Sequence, residues 1–166
     1  MPFGSFVGGT GGAVPVPNTL VLDPPVAATI TLAALASGAA RQSSYVTNSL
    51  NRQAAKVTVE ITTAAVAPVG GTIVEVWLLR SKSQLLAGLI GDDNTGPADA
   101  AYPVPPTRPF NATMIGAITV GANASTVFRG TFDSGPAGPL GDFWGIAISN
   151  RMDQPIAAGT VTYETY

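Results

Sequence analysis

The chain has 166 residues, of which 46% are hydrophobic and only 11% charged, with a formal net charge of −2; it is long enough for one domain with a real core. It contains no cysteine and no histidine, which excludes disulfides, thiolate metal sites and Cys nucleophiles and removes the usual neutral-pH general base and the commonest zinc ligand. So few charges give no basic footprint for phosphates, which speaks against nucleic acid as a partner, and leave little polar surface for a monomer, where roughly a quarter charged is usual.

Residues 1–25 hold five glycines, five prolines and a single charge, Asp23. Such a stretch cannot form a helix and lacks the alternating face of a packed strand. It is too apolar for a solvated tail, so it reads as an extended arm, with Phe3, Phe6, Val14, Val16 and Leu20 as candidate partner-binding residues. With no Lys or Arg before Arg41 it does not read as an export signal, and no run approaches the roughly 20 apolar residues of a membrane span.

Residues 26–166 read as one β-sandwich domain. A strand-like run Ala27–Leu32 is followed by an Ala/Gly/Ser stretch, a polar strand candidate Arg41–Thr47 and a turn at Asn48–Gln53. Lys56–Thr62 alternates cleanly, with Val57, Val59 and Ile61 on one face. Gly71–Arg80 is the most strongly apolar, β-branched run, interrupted only by Glu75, and predicts an interior strand covered on both faces. The Pro68, Gly70, Gly71 connection suggests that these two runs pair as an antiparallel hairpin.

A long loop, 81–110, breaks this rhythm. Loops of such length are usually functional, and Tyr102, Pro105, Pro106 and Phe110 are its candidate contact residues. Strand runs resume at Ala112–Val120, Ser125–Phe132, Phe143–Asn150 and Gly159–Tyr166, with a Gly/Pro corner at Asp133–Asp142. Eight runs without an amphipathic helix predict an all-β, antiparallel, jelly-roll-like sandwich with an extended N-terminal arm. Trp77 and Trp144 are candidates for a shared core.

Signals for chemistry are weak. Asp92-Asp93-Asn94-Thr95-Gly96-Pro97-Ala98-Asp99 offers hard oxygen ligands on a turn, but it fails the EF-hand spacing. Asp133 and Asp142 flank a corner beside Trp144, an arrangement a glycosidase pair with a sugar-stacking ring would need; turn-capping aspartates are the plainer reading. Ser81-Lys82-Ser83 puts a serine beside a lysine, yet adjacent side chains on a strand point apart. Asn111-Ala112-Thr113 and Asn123-Ala124-Ser125 are sequons that matter only in a secreted eukaryotic protein. No metal, cofactor or catalytic residue is expected.

Val74-Glu75-Val76-Trp77-Leu78-Leu79-Arg80-Ser81, then Ile115-Gly116-Ala117-Ile118, Phe128-Arg129-Gly130-Thr131-Phe132-Asp133 and Gly138-Pro139-Leu140-Gly141-Asp142-Phe143-Trp144-Gly145-Ile146-Ala147-Ile148-Ser149-Asn150 follow one another in an order of strands and turns. Over roughly residues 55–166 this order resembles the small β-sandwich, jelly-roll virion proteins of tailed bacteriophages, in particular capsid decoration (cement) proteins. The resemblance implies a non-enzymatic subunit on the capsid exterior, a homotrimer whose partners are the major capsid protein and copies of itself. A tail or baseplate sandwich subunit and a carbohydrate-binding tail-fibre domain are the alternatives.

Overall fold

The computed structural model describes residues 20–81, 98–102 and 112–166. These residues form ten strands: β1 (Val26–Ala27), β2 (Ala40–Gln42), β3 (Val46–Thr47), β4 (Ala55–Thr63), β5 (Thr72–Ser81), β6 (Ala100–Tyr102), β7 (Ala112–Val120), β8 (Val127–Asp133), β9 (Phe143–Asn150) and β10 (Ile156–Thr165), with one 3-10 turn at Gly135–Ala137. One sheet runs β1-β10-β4-β8. The other runs β6-β2-β9-β5-β7, with β3 also pairing β9.

The antiparallel pairs are nested. β5 pairs β7, β4 pairs β8, β2 pairs β9 and β1 pairs β10, each pair enclosing the previous one along the chain. Rolling this long hairpin over itself sends alternate pairs to opposite sheets, which is the jelly-roll arrangement. Seven of the eight predicted runs contain these strands for most or part of their length, whereas the first, Ala27–Leu32, shares only Ala27 with β1 and continues without strand pairing. The two extra strands are short: β3 is the far half of the run Arg41–Thr47, and β6 lies inside the stretch expected to be loop from 81 to 110.

One predicted pairing is corrected. β4 and β5 are consecutive but do not form a hairpin; β4 lies between β10 and β8, and β5 between β9 and β7. Both strands carry a wholly buried face, Val57, Val59 and Ile61 on one, Val74, Val76 and Leu78 on the other. A hairpin would set those faces side by side in one sheet, whereas a crossing sets them against each other across the roughly 10 Å between sheets. Gly71, at φ +85, makes the turn into β5, and its N–H donates to Val120 O.

The main core lies between the sheets. Trp144, Ile146 and Ile148 of β9 join the inward residues of β4 and β5, Ile118, Val120 and Val161, and Leu32, Leu35, Leu140, Met152 and Ile156. Burying each large aliphatic side chain is worth about 1.5–3 kcal/mol. A second cluster explains why β5 is apolar on both faces: Leu79 packs with Ala40, Tyr102, Ala112 and Ala147 on the outer face of the larger sheet, and Trp77 and Tyr45 lie against it. The two tryptophans therefore do not share a core. Alternation puts Trp77 on the opposite face of the sheet from Val76 and Leu78, while Trp144 points between the sheets.

Glu75, the interruption in β5, is also on that outer face. Its carboxylate accepts from Arg151 Nε at 3.1 Å and from Trp77 Nε1 at 3.2 Å. At the other side of the molecule the sheets close over Phe132, whose ring packs so tightly on Gly116 and Gly130 that an added Cβ would stand 2.1 Å and 2.6 Å from ring carbons. Glycine is required at both positions by close approach.

Candidate partner-binding groove

The described part of the arm begins at Leu20 and joins the smaller sheet at Asp23. Asp23 N–H donates to Thr165 O, just beyond the register Val26 to Tyr163 that sets β1 against β10. The Asp23 carboxylate accepts from the Thr165 hydroxyl and from Arg52 Nη2. The hydroxyl, then the guanidinium, hold it below the usual aspartate range against the opposing effect of burial.

Arg52 itself sits at the end of a fixed loop. Asn48 Nδ2 donates to Arg52 O and Gly141 O, both at 2.9 Å, and Asn48 Oδ1 accepts from Arg52 N–H at 2.8 Å. This side chain replaces the turn's missing backbone bonds, as asparagine commonly does. The loop it holds lifts Leu50 into solvent, 68% exposed.

Between the arm root and this loop lies a half-open groove of about 420 Å³. One wall is Asp23, Pro24, Val26, Tyr163 and Thr165; the other is Val46, Thr47 and the loop from Asn48 to Arg52, with Trp144 also lining the groove. Trp144 and Tyr163 meet edge to face with ring centroids 4.8 Å apart. Burial raises the Tyr163 phenol pKa. Two donors in this lining, Trp144 Nε1 and Arg52 Nε, are screened from solvent and have no hydrogen-bond acceptor.

Exposed apolar side chains gather at two ends of the sandwich. Val26 and Leu50 line the groove, with Leu20 and Val21 exposed just before the arm root, whereas Val66, Val69 and Val127 stand at the opposite end of β4, each about 60% exposed. Such clusters on a chain short of charge are what contact surfaces look like. Of the residues expected to bind a partner, Leu20 is exposed. Phe3, Phe6, Val14, Val16, Pro105, Pro106 and Phe110 lie outside the described residues.

Tyr102 is corrected. It is 5% exposed, because β6 pairs with β2 and brings residue 102 opposite Ala40, where it joins the outer-face cluster. It is part of the packing and not an open contact. Sequence reasoning missed Leu50, Val46, Arg52 and Tyr163. The readable signal was a leucine inside an otherwise polar turn, Asn48–Gln53.

The carboxylates expected as chemical candidates are tied up locally. Asp99 accepts from Arg41 Nε and the Thr31 hydroxyl; burial raises its pKa, but these bonds outweigh it and the net shift is downward. Asp133 accepts from Gly135 N–H and the Tyr166 hydroxyl, and the Tyr166 bond leads in lowering its pKa. Asp142 is exposed, and Trp144, the ring meant to stack a sugar beside it, is 1% exposed. Asp92, Asp93, Lys82, Ser83 and Asn111 lie outside the described residues. Among the described residues no cluster of three or more acidic side chains is placed to hold a metal ion, and no helix is long and apolar enough to cross a membrane.

No family model matches the chain, and no curated protein is similar to it.

Proposed function

We propose that the chain is a structural virion protein of a tailed phage, which decorates and stabilises the capsid exterior as a symmetric oligomer. The observation that carries this reading is a jelly roll whose interior is filled by side chains while apolar residues stand exposed at both ends of the sandwich. Jelly rolls serve as viral shell domains, lectins and cupins. A cupin keeps a ligand site inside the fold, and here that space holds Trp144, Leu78, Ile61 and Ile148. A lectin needs a ring presented to sugar together with converging polar groups, whereas Trp144, the ring expected to stack a sugar, is buried, as is Tyr102 of the candidate loop.

These features favour function by surface contact. The partners are then the major capsid protein and further copies of this chain, with three copies about a local three-fold axis as the resemblance implies. Imaging of purified particles tests this. The expected result is density for this chain over the outer shell; density in the tail alone, or absence of the chain from particles, overturns the capsid assignment.

A further inference from the structure

We infer that the groove between the arm root and the Asn48–Arg52 loop is a docking site for an extended apolar peptide, and that its occupant is the arm, residues 1–19, of a second copy of this chain. The inference rests on the assembly reading above for its second copy.

The groove and the arm fit each other chemically. Exposed Leu50 and Val26 with Val46 and Tyr163 give apolar walls, and the arm carries Phe3, Phe6, Val7, Val14 and Val16 with no charge between residues 1 and 19. Trp144 Nε1 and Arg52 Nε are donors without acceptors just beneath the lining. An extended peptide brings a carbonyl oxygen with every residue, the kind of acceptor these donors lack; a purely aliphatic ligand offers them nothing. The wall is also firm, since Asn48 fixes the loop and Arg52 is pinned to Asp23, so little order has to be created on docking.

The chain's own path selects a neighbour's arm over its own. β1 runs antiparallel to β10, and position 23 already faces Thr165 at the end of β10. Among the described residues the pairing with β10 ends at Asp23 and Thr165, and residues 20–22 add no strand to their own sandwich. Nineteen residues reach about 65 Å when extended, enough to cross to an adjacent copy of a domain this size. Exchange of an identical segment between copies is a low-cost route to a closed oligomer.

The absence of cysteine makes the test direct. Full-length chain carrying Val14→Cys is mixed with differently tagged full-length chain carrying Leu50→Cys, and the mixed disulfide is followed under mild oxidation. The control pairs Val14→Cys with Val66→Cys at the opposite end of the sandwich. Docking predicts mixed dimer from the Leu50 pair on the order of a hundredfold faster than from the control, from the rise in effective concentration. Equal rates overturn the inference. So does a doubly substituted chain, diluted in excess unsubstituted protein, that closes within itself while the mixture does not react. No particle is present in this assay, so its failure leaves the virion assignment standing, and a chain that cross-links but is absent from particles fails only that assignment.

Discussion

Asn150 shows how much a single side chain holds in this fold. It is fully buried; its Nδ2 donates to Leu35 O, Ala36 O and Gln154 O, and its Oδ1 accepts from Met152 N–H. Replacing it with alanine orphans several buried backbone groups at once, at about 1–3 kcal/mol each. Asn150→Ala is therefore expected to cost about 3 kcal/mol or more in urea unfolding, whereas Ser49→Ala, exposed and at an ordinary backbone φ, falls within about 0.5 kcal/mol. The pair Gly116 and Phe132 offers a second residue-scale test. Gly116→Ala overpacks the closed side of the sandwich, for an expected loss of about 1–3 kcal/mol. In the background Phe132→Leu the same change costs much less, and a double-mutant cycle reads that coupling.

Titration belongs to this scale too. Asp23, Asp99 and Asp133 all have pKa values lowered from 3.8 in the folded chain. A lowered folded value favours the native state above the unfolded pKa, and the advantage is lost as pH falls through the folded one. Acid should therefore destabilise the protein chiefly below about pH 4, and Asp133→Asn should flatten that part of the stability profile. Tyr166 has the opposite sign: burial, then the Asp133 bond, push it up to about 12. Its contribution is complete below the ordinary phenol value of about 10 and is lost between there and about pH 12. Thermal melts across both ends of the pH range check the two signs.

At the scale of elements, β9 and β8 are opposites. β9 lies between β5 and the β2/β3 pair, with seven of its eight residues buried, while β8 is the edge of its sheet and shows outward residues at every second position. Hydrogen exchange should place β9 amides in the most protected class and leave β8 and β1 to exchange first. A β8 as protected as β9 in the isolated chain would mean that its edge is covered by another copy. The strands themselves were legible from alternation: Ala112–Val120 and Phe143–Asn150 coincide with β7 and β9. Which strands pair was not, because Val57, Val59 and Ile61 carry the same pattern whether they lie beside Val74, Val76 and Leu78 or face them. β6 was hidden for another reason. Three residues between Asp99 and Pro103 carry no periodicity, and only pairing with β2 makes them a strand. The groove was half visible, since its apolar arm stood out by composition while its far wall depended on Asn48 bonds between segments distant in sequence.

For the whole molecule, the proposed role is contact with neighbours. A 16.8 kDa chain with 11% charged residues and exposed valines and leucines at both ends gains by burying those ends against neighbours. Substituting Leu50→Asp puts a charge on the groove wall without touching the core, so it should weaken self-association while leaving the melting temperature of the fold within a few degrees. Light scattering on the full-length, unsubstituted protein at micromolar concentration tests the central claim most directly. The account predicts a single species with a mass three times that of the chain, and a monodisperse monomer at 16.8 kDa would contradict it.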